Sequence, residues 1–175
     1  RTAVRPLMER LRDESGETAM LFVSSGSRQV VIDVAPSREP LRYELEIGRS
    51  FDLHRGAAGK AAMAAMNGEA VRALLDRAGL APEGRRSLVA ELETVRTLGY
   101  ATSTGERIAG ASAVAAVVRD EAGRPRGVLG LMMPAFRNPP DRLRHLGKVL
   151  VNQLAQLHLP EDIAAAKSGA RGEGN

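Results

Sequence analysis

The spacing of apolar residues changes period along this chain, and those changes limit the fold more than any other feature. Val4, Leu7, Met8 and Leu11 recur at helical spacing, and Gly16 is placed to end that helix. Thr18 to Val23 and Val30 to Val34 read as strands joined by the turn residues Ser24-Ser-Gly-Ser27. After a loop flanked by Pro36 and Pro40, Tyr43, Leu45 and Ile47 alternate with Glu44 and Glu46, which predicts a half-buried strand. Gly56 opens a short Ala/Met helix that Asn67-Gly68 stops after Met66. Val71, Leu74, Leu75 and Ala78 return to helical spacing up to Gly79. A fourth helix begins at Pro82, carries Leu88, Leu92 and Val95, and ends at Gly99. The period then reverts to that of strands over Ala111–Val118 and Gly127–Met133, with the hairpin signal Asp120-Glu-Ala-Gly123 between them. A last helix follows Asn138-Pro-Pro140 and aligns Leu143, Leu146, Val149, Leu150, Leu154 and Leu157. Strands in hairpins, with helices segregated between and after them, define an α+β domain on an antiparallel sheet. No internal repeat or linker divides it, and residues beyond Pro160 are expected to be a disordered tail.

Composition removes several function classes. The chain has no cysteine, which excludes disulfide scaffolds, thiolate metal sites and thiol nucleophiles. The net charge of +4 comes from 25 basic and 21 acidic residues interleaved along the sequence, not gathered into a basic face for nucleic acid. No tryptophan, two tyrosines and three phenylalanines leave little material for stacking nucleobases. The apolar runs fall far short of the ~20 residues that span a bilayer. The start, Arg1-Thr-Ala-Val-Arg-Pro, lacks an apolar signal core. A soluble, cytoplasmic protein without membrane contact is expected.

Few residues invite chemistry. Gly56-Ala57-Ala58-Gly59-Lys60 approaches a phosphate loop, but His54 stands where the first glycine belongs and Ala61 where a Ser or Thr would bind magnesium. Two readings of the segment remain. Small residues at a helix start expose backbone N–H groups to an anion, or they let a helix pack closely on the sheet. His54, His145 and His158 lack the spacing of a helical metal site, so no metal and no cofactor are expected. Ser103 and Ser112 have no base nearby in sequence, and Glu106 and Asp120 read as solvated or capping carboxylates. Met132, near Gly127 and Gly130, either fills core or lines an adaptable cavity.

Four segments in order carry a resemblance. Leu53-His54-Arg-Gly-Ala-Ala-Gly-Lys-Ala61, Glu91-Leu-x3-Arg96-x2-Gly99-Tyr100, Glu106-Arg-Ile-Ala-Gly110-x-Ser-Ala-Val-Ala-Ala116, and Pro134 after the strand ending at Met133 resemble the effector-binding domain of IclR-type bacterial transcription regulators. The likeness runs from about Leu7 to Leu157, and Arg5-Pro-Leu-Met-Glu-Arg-Leu resembles the family's linker helix, expected over residues 1–15. The resemblance implies a GAF/PAS-like antiparallel sheet of about six strands flanked by helices on both sides. It also implies a non-enzymatic sensor of a small-molecule effector, a homodimer or homotetramer, in residues 1–160. Operator DNA would be bound through an N-terminal winged helix-turn-helix, for which these residues hold no counterpart.

Carried onto this sequence, the family pocket places anion donors at the backbone N–H groups of Ala57 and Ala58, beside Gly59. Phe51 and Tyr43 would line one wall and Ala111 and Ala113 another, with Ser103 at the polar edge and Gly130 and Met132 on the late strand. Relatives that bind small oxo-acids tend to carry a carboxylate near Ser103 and hydroxyls near Gly130 and Met132. Their absence here implies a larger, more apolar or aromatic effector with at most one carboxylate. A nucleotide-binding or dimerising GAF-like module, or a hydrolase built on His54 and a serine, is the competing reading.

Overall fold

In the computed structural model, which describes residues 2–160, nearly every change of apolar period becomes a change of element. In chain order these are α1 (Arg5–Ser15), β1 (Thr18–Ser25), β2 (Arg28–Ala35), β3 (Ser50–Asp52), α2 (Gly56–Ala64) and α3 (Gly68–Ala78). They continue with α4 (Pro82–Leu98), β4 (Ala101–Thr104), β5 (Ala111–Arg119), β6 (Pro125–Pro134) and α5 (Pro140–Ala155). Local chemistry sets the boundaries. Gly16 closes α1 in the left-handed region at φ 75°, where its amide donates to the Arg12 carbonyl. The Asn67 side chain accepts from the Ala70 amide and starts α3. The expected disordered tail, residues 161–175, lies outside the described residues.

All six strands form one antiparallel sheet in the order β3-β2-β1-β6-β5-β4. Helices cover both faces. Leu7, Met8 and Leu11 of α1 and Leu143, Leu146 and Leu150 of α5 pack with Ala19, Leu21, Leu129 and Leu131 on one side. Ala57, Ala61 and Met63 of α2, Val71 and Leu75 of α3, and Leu88 and Leu92 of α4 pack with Met20, Phe22, Ala115 and Val128 on the other. β1 therefore contributes alternate residues to two cores, as a strand of period two must when both faces are covered. Each fully buried Leu, Met or Phe stabilises by about 1.5–3 kcal/mol relative to an exposed one. No helix among the described residues is long and apolar enough to cross a membrane.

One expected element is missing. The alternation at Tyr43–Ile47 does not form a strand, because the place beside β2 is taken by the later segment Ser50–Asp52. Gly48, at φ 91°, donates to the Val31 carbonyl and turns the chain into that pairing. Only Leu45 of the stretch is buried, whereas Ile47 is 56% exposed. The alternating pattern reports one anchored side chain in a loop.

Candidate functional site

Sheet register gathers the residues of one cavity. Ser103 of β4 pairs with Ala113 of β5, Ala113 pairs with Met132 of β6, and Ala115 pairs with Gly130, which in turn pairs with Met20 of β1. Two-residue periodicity directs these positions to the face that carries α2. Together with Phe22 and Ala58 they line a hollow that the loop residues Glu106, Arg107 and Ile108 close from the side. Ala111 also borders it. About 30 Å³ is open to the centres of water-sized atoms, room for about two water molecules. That is small for the larger effector expected from the sequence. A bulkier guest requires Met132 or the Glu106–Ile108 segment to move aside, and the unbranched thioether makes Met132 the more adaptable wall.

The small residues of α2 serve close packing, and the helix start is buried. A Cβ at Gly59 would fall 2.0 Å from the Leu53 carbonyl oxygen, so the glycine permits the helix to lie directly on the preceding loop. Gly59 and Ala57 do not line the cavity, and Ala58 does. The first amides of α2 are already engaged: Gly56 N–H donates to Glu106 Oε2 at 2.9 Å and Ala57 N–H to Ser103 Oγ at 3.1 Å. An incoming anion at the Ala57 amide would displace the Ser103 hydroxyl.

Phe51 and Tyr43 stand outside the hollow and support its rim. The Arg107 guanidinium lies 4.3 Å above the Phe51 ring centroid, with Arg49 5.6 Å from the same centroid. Tyr43 Oη donates to the Ala109 carbonyl at 3.2 Å and rests on Gly110, where a Cβ would approach it to 3.3 Å. Both aromatics thus brace the 105–110 loop instead of forming a pocket wall.

Two charged groups at the cavity escape sequence rules. Glu106 is indeed a capping carboxylate, but it also borders the hollow, so the site does contain a carboxylate near Ser103. Its second oxygen accepts from the buried Lys60 ammonium at 2.5 Å, and Lys60 also donates to Glu91 at 2.9 Å. Arg107, beside it, has a buried Nη1 without a hydrogen-bond partner. Burial pushes the Arg107 guanidinium below its ordinary value; the Glu106 charge partly offsets this and Arg55 adds to it. No spacing rule marks an arginine in such a loop, and only the fold shows that it faces inward.

Other hollows lack this convergence. A wider groove of about 690 Å³ runs between the ends of α2, α4 and α5 and the β5–β6 hairpin, but it is open, and of its charged residues Arg96, Arg119 and Asp120 are engaged with Ala64 O, Gly123 O and Arg124. His54 makes no hydrogen bond with a serine hydroxyl among the described residues. No group of three potential ligands that could hold a metal occurs among the described residues.

A curled six-stranded antiparallel sheet, helices on both faces, and a hollow beneath one helix start define a GAF-like α+β domain. Residues 1–157 match the family model described as bacterial transcriptional regulator IclR C-terminal, and the chain belongs to that family. It is 29% identical over 164 residues to the acetate operon repressor of Salmonella typhimurium, covering 89% of this chain and 60% of that protein. The transcriptional repressor IclR of Escherichia coli matches with the same identity and coverage. The C-terminal domain of a protein from Vibrio cholerae, described as a transcriptional regulator, superposes with a TM-score of 0.76 at 28% identity, over 88% of this chain and 93% of that one. The chain spans 60% of the length of the two curated relatives, and both are repressors by name, not enzymes.

Proposed function

We propose that this chain is the small-molecule sensor of a transcription regulator and that its effector occupies the hollow between α2 and the sheet. The observation that carries the reading is the convergence of Met20, Ala113, Gly130 and Met132 on an enclosed apolar space with Ser103, Glu106 and Arg107 at its edge. Such a site favours a compact, mostly apolar molecule with one polar end. Occupancy would shift the arrangement of a homodimer or homotetramer, and through it the operator affinity of a longer protein carrying a winged helix. This transmission requires the ligand to prefer one arrangement, with coupling of typically ~1–3 kcal/mol.

A thermal-shift screen of small organic acids and aromatic compounds, followed by calorimetry, tests the reading. At least one compound is expected to raise the melting temperature, and Met132→Ser is expected to weaken an apolar hit. Unchanged affinity in that variant would place the ligand elsewhere. Light scattering during size-exclusion should show an oligomer whose population or arrangement responds to the hit. A monomer independent of concentration and ligand argues against the transmission step.

A further inference from the structure

We infer that Arg107 anchors the negatively charged end of the effector, making the cavity selective for a monocarboxylate over its neutral analogues. This rests on the sensor reading above and names the chemistry of that same site.

Three observations converge. Arg107 lines the hollow, and its Nη1 is buried with no hydrogen-bond partner. An unmade hydrogen bond from a buried cation is costly, so the arrangement favours any guest that supplies an acceptor. Second, the nearby carboxylates are committed elsewhere. Glu106 binds Lys60 and the Gly56 amide, and Glu91 binds Lys60. Lys60, which bonds both acids, Arg55, whose guanidinium donates to the Glu106 main-chain carbonyl, and Arg107 together outnumber these two carboxylates, leaving an excess of positive charge. The N-terminal end of α2 adds to that excess. Third, space has been left for the guanidinium: a Cβ at Gly56 would fall 2.5 Å from Arg107 Nε, so any other residue there would push the group away. The planar fork, stacked on Phe51, can present two parallel donors to a carboxylate.

The rival role for Arg107 is purely structural, holding the 105–110 loop against Phe51. Discrimination between an acid and its amide separates the two roles, because loop support would affect both compounds alike. The experiment is calorimetry on the 175-residue chain with butyrate, 2-oxobutyrate, benzoate and phenylacetate, each compared with its amide. At least one acid is expected to bind about 10- to 100-fold more tightly than its amide, the range of a charge-assisted hydrogen bond. Arg107→Met should abolish that ratio, and Arg107→Lys should retain part of it. The melting temperatures of both unliganded variants report whether they fold. Equal binding of acid and amide, persistence of the ratio in Arg107→Met, or failure of every acid to bind would each overturn the assignment. A neutral amide that binds and is weakened by Met132→Ser would leave the sensor reading intact and remove only the role of Arg107.

Discussion

Gly147 of α5 lies against the ring of Tyr100: a Cβ at position 147 would fall 2.3 Å from Tyr100 Cδ2. Replacing a mid-helix glycine by alanine normally stabilises by up to about 1 kcal/mol. Here overpacking against a buried ring outweighs the propensity gain, since forced shifts in a filled core cost ~1–3 kcal/mol. Gly147→Ala should therefore lower stability by about 1–2 kcal/mol in urea unfolding. In a Tyr100→Ala background the same change should become neutral or stabilising, and equal costs in both backgrounds would refute the contact.

Gly59→Ala should be more severe. Its Cβ meets a backbone carbonyl, that of Leu53, which no rotamer change can move. A loss above about 3 kcal/mol is expected. Gly84→Ala serves as the control: it also lies in a helix, nothing stands within 4 Å of the added carbon, and it should be neutral or stabilising.

Lys60→Met should cost ~1–3 kcal/mol, below the figure for a wholly buried pair because Glu106 and Glu91 are 34% and 50% exposed. Combining it with Glu106→Gln should cost less than the sum of the single changes, as measured by a denaturant double-mutant cycle. Additive costs would show that the two groups do not act together.

Asp120 sets a pH dependence. Burial pushes its carboxyl up, but the hydrogen bonds from the Arg124 amide and guanidinium, with the charges of Arg124 and Arg126, outweigh that, and the net displacement is downward. The contribution is therefore present above the ordinary carboxylate range and is lost as pH falls through the depressed folded value. The gap between the wild-type and Asp120→Asn urea midpoints should be widest near neutrality and narrow below about pH 4. Curves that stay parallel into acid would contradict this.

Most of the architecture was legible because its signals are local. Gly16, Asn67, Pro82 and the Asp120–Gly123 turn each act within a few residues, and the helices and hairpins follow from them. The strand expected at Tyr43–Ile47 failed for a nonlocal reason, competition from Ser50–Asp52 for the edge of β2. Family likeness names Ser103, Ala113, Gly130 and Met132 as candidate ligand positions, and sheet register brings these four to one hollow. The same likeness implies Phe51 and Tyr43 on a wall, whereas neither lines the hollow and both contact the 105–110 loop at its rim. Arg107 carries no such signal in the sequence: what marks it is a buried Nη1 without an acceptor, and that depends on every neighbouring element.

Met20 and Leu21 are consecutive in β1 yet belong to opposite cores. The partition between the hollow and α1 is thus a wall one peptide thick. Met20 borders the hollow on one face, and on the other Leu21 packs with Leu7, Met8 and Leu11 of α1. Under the sensor reading proposed above, a guest pressing on Met20 would bear directly on the strand that seats α1, with no further element between them.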